Sequence, residues 1–175
     1  MPLCVFDIFS DGTTMIPTDT QLTGPGAYRW WHFDLTDPML EPWVNKHLHE
    51  IPAGSLIQKQ TRPRCDQFEG GLILNLRGIN MNAGQAADEM VSVRMYVDND
   101  LLITVRRKKV FAIDAIRQMA TAQHAPPSPA EFLEELIIRL TSRVQQHVES
   151  LDEQAEFFEE DLEDKQTPMP RELPE

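Results

Sequence analysis

The densest set of chemically active side chains is a run of nine carboxylates between residues 149 and 164, with no lysine or arginine among them. They are Glu149, Asp152, Glu153, Glu156, Glu159, Glu160, Asp161, Glu163 and Asp164. On a helix, like charges three or four residues apart destabilise the isolated helix by about 0.3 kcal/mol per pair. Carboxylates suit hard divalent cations and also bind zinc. The run predicts either a solvated helix face or a surface that attracts cations, whose candidate contacts are Glu149, Asp152, Glu153, Glu156 and Glu160.

Histidines supply a second set of candidate zinc ligands. His47 and His49 lie two positions apart in KHLHE, so a continuous helix would turn them to different faces. If this segment is frayed or extended instead, both can gather zinc together with Glu50. His147 lies beside the acidic run and is a candidate for a site between subunits. The alternative for each histidine is an ordinary exposed or structural role. The remaining candidates are isolated in the sequence and lack the spacing of a zinc–cysteine site: His32, His124, Cys4 and Cys65.

Arginines form a third group, and several of them fall in predicted strands. They are Arg62, Arg64, Arg77, Arg94, Arg106 and Arg107. The preferred interpretation is ion pairing with carboxylates of packed helices or of a neighbouring subunit, since the planar guanidinium binds a carboxylate through two hydrogen bonds. The alternative is an anion site on one face of the sheet.

Composition excludes several classes of function. The chain has 175 residues, a net charge of −12 and a pI near 4.8, which argues against binding to nucleic acid or to an anionic membrane surface. Two cysteines fit a reducing cytosol. The N-terminus has no secretory signal pattern, and no apolar run reaches the roughly 20 residues of a membrane-spanning helix. No phosphate-binding loop, GxGxxG motif or nucleophile elbow is present, so we do not predict an enzyme.

Hydrophobic periodicity places strands and helices along the chain. Strands are predicted at 3–9, at 28–35, at 70–80 and on either side of a hairpin at Asp98-Asn99-Asp100. Helices are predicted from an Asp37 cap to about Glu50, over 52–60 and over 110–123. Ser128, Pro129 and Glu131 then predict the start of a long helix that runs to about Lys165. A further helix is possible from Pro170.

The long helix carries one apolar stripe at a helical spacing. Its members are Leu133, Ile137, Leu140, Val144, Val148, Leu151, Ala155, Phe158 and Leu162. A helix of this kind usually packs along another long helix. The predicted fold class is α/β (α+β), with a mixed β-sheet flanked by helices (α/β/α) and followed by a long acidic helical arm. Residues 1–127 would form the sheet domain, and residues 128–175 the acidic helix and the start of the next helix, packed on the same domain.

Gly78-Ile79-Asn80 has the Gly-x-Asn form of a transporter pore signature, but it follows a short strand rather than a membrane helix. We therefore interpret Gly78 as relaxing the strand end and Asn80 as starting a turn. The phrases around it nevertheless resemble the CorA-type metal transporters, and most of all their ZntB branch. These phrases, in family order, are WWHFDLTD (30–37), TRPRC (61–65), GLILNLRGINMN (71–82), DEMVSVRMYVDNDLLITVRRKKV (88–110) and AIDAIR (112–117).

The resemblance implies the N-terminal cytosolic domain of an inner-membrane protein, with the stalk and membrane helices outside these 175 residues. By analogy the parent protein would be a homopentamer, and its cation would be zinc or magnesium, with no cofactor required. The leading hypothesis is a funnel domain that attracts or senses divalent cations and helps to gate the pore. The alternatives are a stand-alone soluble interaction module whose acidic helix docks a basic partner and, third, an enzyme acting on a cationic substrate.

Overall fold

The computed structural model describes residues 1–59, 62–85 and 89–164, and the side chains in these ranges other than those at 146 and 160–164. Within these ranges the strands are β1 (Cys4–Ile8), β2 (Thr14–Met15), β3 (Tyr28–Asp34), β4 (Arg64–Phe68), β5 (Gly71–Gly78), β6 (Val91–Val97) and β7 (Leu101–Arg106). The helices are α1 (Leu40–His47), α2 (Glu50–Ile57), α3 (Phe111–Thr121) and α4 (Pro129–Asp164). The possible helix start at Pro170 lies outside the described residues.

One mixed sheet contains all seven strands, in the order β2-β1-β3-β7-β6-β5-β4. The β3–β7 pair at its centre is parallel, and every other neighbouring pair is antiparallel. The hairpin predicted at Asp98-Asn99-Asp100 joins β6 to β7 and is confirmed. The short edge strands β2 and β4 were not predicted, because each is brief and mostly exposed and so lacks an apolar pattern of its own.

Apolar cores lie on both faces of the sheet, which confirms the predicted α/β/α layering. One core joins Trp30, Met95 and neighbouring strand residues to α3 and α4. The other joins Trp31, Phe33 and Ile103 to α1 and α2. Successive residues of a strand point to opposite faces, so Trp30 and Trp31 enter different cores.

The helix predicted from Asp37 to Glu50 is wrong in two details. It begins at Leu40, with Met39 at the cap position, and the Asp37 carboxylate accepts from the Met39 amide at 2.9 Å in the turn before the helix. It also ends at His47, where Leu48 adopts an extended conformation. His49 then caps α2, accepting from the Ile51 amide at 3.3 Å, so the second helix, predicted over 52–60, begins at Glu50 and ends at Ile57.

Helix α4 begins as predicted and contains 36 residues, about 54 Å at 1.5 Å per residue. The Ser128 hydroxyl accepts from the Glu131 amide at 3.2 Å, which confirms the cap. The side of α4 that packs on the sheet is formed by Phe132, Leu136 and Leu140. Leu140 also belongs to the apolar stripe predicted from the sequence. Among the other members of the stripe, Ile137, Val144, Val148, Leu151 and Phe158 are exposed.

A buried ion pair anchors β1 to β3. Arg29 donates to Asp7 through Nε at 2.6 Å and Nη2 at 2.8 Å, and both side chains are fully buried. Nη1 donates to the half-exposed Asp19 at 2.6 Å. Hydrogen bonds to Asp7 raise the pKa of Arg29, so the guanidinium stays charged. Gly24 lies against this pair, and a Cβ at this position would clash with the Asp7 carboxylate and the Arg29 guanidinium.

We expect Gly24→Ala to destabilise the protein by about 2–4 kcal/mol, because the added methyl must displace a buried, hydrogen-bonded charge pair. Gly54→Ala is the matched control: Gly54 is exposed within α2 and its Cβ would meet open space. That control should gain up to about 1 kcal/mol from helix propensity. Urea unfolding monitored by tryptophan fluorescence measures both values. Equal stability of the two variants would contradict this account of Gly24.

Candidate cation and anion surfaces

The acidic run lies on the C-terminal part of α4, where the side chains are exposed to solvent. Glu149, Asp152, Glu153 and Glu156 are all exposed, as are the apolar residues Phe157 and Phe158. Of the candidate contacts, the side chain of Glu160 lies outside the description, as do those of Asp161, Glu163 and Asp164. Exposed carboxylates at this density create a negative field along the helix.

These carboxylates do not assemble into a chelating cluster. In the described part of the chain, no group of three or more His, Cys, Asp and Glu side chains is close enough to hold a metal ion. The geometry of one helix explains this, because only residues three or four apart become neighbours on its surface. A complete coordination shell at this surface therefore needs ligands from another element or another chain.

The structure separates the candidate histidines from one another. His47 ends α1 with its ring 5.0 Å from that of Trp43, and burial lowers its pKa. His49 caps α2, and its ring lies 5.0 Å from that of Phe68. His147 is half-buried on α4, near the acidic run. Since His49 already accepts a hydrogen bond through Nδ1, its contribution to a metal site would have to come through Nε2.

His32 is buried in the centre of the sheet. Its Nδ1 lies 2.8 Å from the Thr104 hydroxyl, which also accepts from Trp30 Nε1 at 2.8 Å. Its Nε2 is buried without a hydrogen-bond partner among the described residues. Burial and, secondarily, the nearby charge of Arg106 lower the pKa of His32 to about 4. The imidazole is therefore neutral at pH 7 and has a structural role.

The Gly78-Ile79-Asn80 triplet has a packing role. Helix α4 crosses β5 at Gly78, where an added Cβ would lie 2.7 Å from Leu140 Cδ2. Gly78 therefore permits a close helix–sheet approach, which is a different reason from the relaxed strand end that we predicted. Asn80 accepts from the Asn82 amide at 3.1 Å, so the predicted turn is confirmed.

Five of the six arginines singled out in the sequence line one cavity of about 810 Å³ at the β4–β5–β6 end of the sheet. We call it the basic cavity; its cationic lining residues are Lys59, Arg62, Arg64, Arg77, Arg94, Arg107 and Lys108. The preferred prediction of ion pairs with helices is right for Arg106, which lies 3.8 Å from Asp114 of α3. It is wrong for Arg94, which donates to the backbone carbonyls of Gln58 and Lys59.

A layered α/β/α domain that continues into a long acidic helix defines the structural class of this chain. Among the described helices, none has an apolar stretch long enough to cross a bilayer. The family model "CorA-like Mg2+ transporter protein" matches residues 25–172. The chain therefore belongs to the CorA-like family.

Individual relatives agree with this assignment. The chain is 31% identical over 147 residues to a protein of Pectobacterium atrosepticum named zinc transport protein ZntB, covering 82% of this chain and 45% of that one. The crystal structure of the ZntB cytoplasmic domain from Vibrio parahaemolyticus matches with a TM-score of 0.76 at 25% identity, over 87% of this chain and 62% of that one. The structure of full-length CmaX shares the fold, with a TM-score of 0.85 at 24% identity over 98% and 54%. The chain thus spans less than half of the ZntB protein of P. atrosepticum.

The burial of His32 makes folding stability depend on pH. The unfolded chain binds a proton at His32 below its ordinary pKa of 6.5, whereas the folded chain resists protonation until about pH 4. Stability is therefore lost as the pH falls from 6.5 towards 4, by about 2 kcal/mol between pH 7 and pH 5. Urea unfolding at the two pH values should show this loss, and His32→Gln should reduce it. The exposed His124→Gln serves as the control, and an unchanged pH dependence in His32→Gln would contradict the assignment.

Proposed function

We propose that this chain is the cytosolic domain of a divalent-cation transporter of the CorA/ZntB type, with zinc as the expected cation. The acidic surface of α4 carries this proposal, since it is exposed, contains no basic residue and extends from a domain that matches the ZntB cytoplasmic fold. In this arrangement residues 1–127 form the sheet domain and residues 128–175 the helical arm. The ion is the transported substrate, and the domain itself needs no cofactor.

The role of α4 follows from its charge and from its incomplete ligand set. Exposed carboxylates raise the local concentration of divalent cations near the domain. No group of three or more ligands is present among the described residues, so a bound ion would complete its shell with water or with ligands from a neighbouring subunit. His147 lies close enough in sequence to join such a site, and the exposed apolar stripe of α4 provides area for subunit contact. A homopentamer is the assembly we propose for the full-length protein.

Cations between subunits would couple occupancy to gating. An ion that binds one arrangement of the subunits more tightly than another shifts the population towards the first. Carboxylates brought together without an ion repel, so loss of cations would favour an arrangement in which the helices lie further apart. The packing of α4 against β5 through Gly78 and Leu140 would transmit this change to the sheet.

Two alternatives make different predictions. If the chain is an interaction module, α4 should bind a basic peptide and show no more than weak, non-specific cation binding. An enzyme acting on a cationic substrate would require converging acids or bases within a pocket, and the matched relatives are named as transporters.

We expect Glu153→Gln combined with Glu156→Gln to weaken Zn²⁺ and Mg²⁺ binding by about tenfold, because affinity follows the number of charged ligands. Folding should be unaffected or slightly favoured, since a repulsive pair is removed. Glu41→Gln with Glu134→Gln removes the same number of exposed charges elsewhere and is the control. Titration calorimetry measures the affinities. Unchanged binding in the α4 variant would overturn the cation role of this surface.

The full-length protein provides the test of transport. The reading frame should encode, after Glu175, two apolar segments of about 20 residues, with a Gly-x-Asn triplet at the end of the first. The purified protein in liposomes should then admit Zn²⁺, detected with an enclosed zinc-sensitive dye. A stop codon directly after codon 175 would instead favour the interaction module.

A further inference from the structure

The basic cavity lies where the helical cover of the sheet ends. Helices α1 and α2 contain eight residues each and cover the apolar part of one face, including Phe33, Ile103 and Val105. On the same face, β4, β5 and β6 contribute Phe68, Ile73 and Tyr96 to this core, but the other end of these strands carries polar residues instead. A cavity of about 810 Å³ remains there, within the size range of small-molecule sites.

Strand register brings the cationic side chains together. Arg64 of β4 pairs with Asn75 of β5, and Asn75 pairs with Arg94 of β6, so these three residues form one row across the sheet. Arg77 and Ser92 form the next row. Directly opposed residues have Cβ atoms about 5 Å apart. The neutral side chains between the arginines separate like charges while keeping all of them on one surface.

Arg94 forms the floor of the basic cavity and is 1% exposed. Its Nε donates to the Gln58 carbonyl at 2.8 Å and its Nη2 to the Lys59 carbonyl at 3.3 Å, which fixes the plane of the guanidinium. Nη1 lies 3.5 Å from the Ser92 hydroxyl. Burial, and then the charge of Arg107, lower the pKa of Arg94. The folded protein thus buries the Arg94 guanidinium, although burial and the charge of Arg107 disfavour its charged form.

The charge of the cavity contrasts with that of the whole molecule. Seven of the 16 lysines and arginines of the chain line it, although the net charge is −12. Among its described lining residues there is no carboxylate. Among the described residues, Arg64 Nε lies 3.4 Å from Asp66 and Lys108 Nζ lies 2.7 Å from Glu89, and both carboxylates lie outside the lining. Both pairs are partly exposed.

We propose that the basic cavity binds a small soluble anion that carries two or more phosphate groups. Guanidinium groups that line one space suit phosphate oxygens, because a guanidinium fork can donate two parallel hydrogen bonds. The volume admits more than a single phosphate group. A long polyanion such as nucleic acid is disfavoured by the acidic remainder of the surface. An acidic helix from a second copy is about 10 Å wide, whereas a compound with two phosphate groups fits within a volume of about 810 Å³.

Calorimetric titration of the 175-residue chain with inorganic pyrophosphate tests the proposal. EDTA in the buffer removes divalent ions that would otherwise bridge pyrophosphate to the carboxylates of α4. We expect one pyrophosphate per chain, and an increase in melting temperature because the ligand binds only the folded state. Arg62→Gln with Arg107→Gln should weaken binding by about tenfold or more, as each lost contact is a charge-assisted hydrogen bond. Both side chains are exposed, so this variant should fold.

A matched control separates the site from the effect of net charge. Lys46→Gln with Arg143→Gln removes two positive charges from helices α1 and α4 and should retain the affinity of the unmodified chain. No saturable binding of pyrophosphate would overturn the proposal. Equal weakening in both double variants would do the same, since it would assign the effect to overall charge. NaCl at the same ionic strength should not reproduce the rise in melting temperature.

Two further measurements exclude other sources of negative charge. If vesicles of phosphatidylglycerol bind through Arg62 and Arg107 while pyrophosphate does not, the site recognises a lipid headgroup and the soluble-anion proposal is overturned. Light scattering tests for self-association of the chain. If both Arg62→Gln/Arg107→Gln and Glu153→Gln/Glu156→Gln abolish self-association, and pyrophosphate does not bind, the acidic helix of a second copy occupies the cavity. That result would also overturn the soluble-anion proposal. None of these outcomes depends on whether α4 binds cations, so the two proposals fail or succeed separately.

Discussion

The rest of this structure depends on one constraint: the sheet has apolar side chains on both faces, and helices must bury both of them. The central strands β3 and β7 are parallel neighbours, and buried residues alternate to both sides of them. One face is covered by α3 and the first turns of α4, and its core extends along most of the sheet. The other is covered by two helices of eight residues, whose apolar core reaches β4 at Phe68 but does not include the row of Arg64, Asn75 and Arg94. The position of the basic cavity follows from this unequal cover.

The same architecture divides the charge of the molecule into two regions. Carboxylates concentrate on the part of α4 beyond the last sheet contact at Leu140, where the helix is solvated and can tolerate repulsion. Arginines concentrate at the polar end of the opposite face, three of them on β4, β5 and β6 and two, Arg62 and Arg107, just outside the strands. Because strands hold their side chains in fixed rows, the arginines form a defined concave surface. The acidic helix offers a long convex one, which suits diffuse attraction or a site completed by another chain.

Membership of the CorA-like family gives these regions a context. The match covers residues 25–172 and therefore includes both the sheet domain and most of the acidic helix. An exposed apolar stripe from Val144 to Phe158 accompanies the carboxylates on α4. Buried area between subunits and electrostatic attraction for ions would then involve the same helix, which is the physical basis for the proposed link between cation occupancy and subunit arrangement.

The sequence by itself determined the local elements of this protein. Periodicity identified the central strands, the β6–β7 hairpin and the start of α4 at Ser128, because turn residues, caps and apolar spacing act over a few positions. It also identified the family, through phrases spread along the chain, and the acidic run, whose members are contiguous. The break between the first two helices was predicted, but about two residues too late, because the cap of α2 is a histidine rather than one of the usual capping residues.

Only the tertiary structure decided which side chains meet. Arg64, Arg77 and Arg94 are separated by 13 and 17 residues and become neighbours through strand register, which the pattern of a single strand does not specify. Likewise, the need for glycine at positions 24 and 78 comes from distant partners, the Asp7–Arg29 pair and Leu140. Contacts between residues far apart in sequence depend on the packing of whole helices and strands. These contacts determine where the charged side chains of this protein lie.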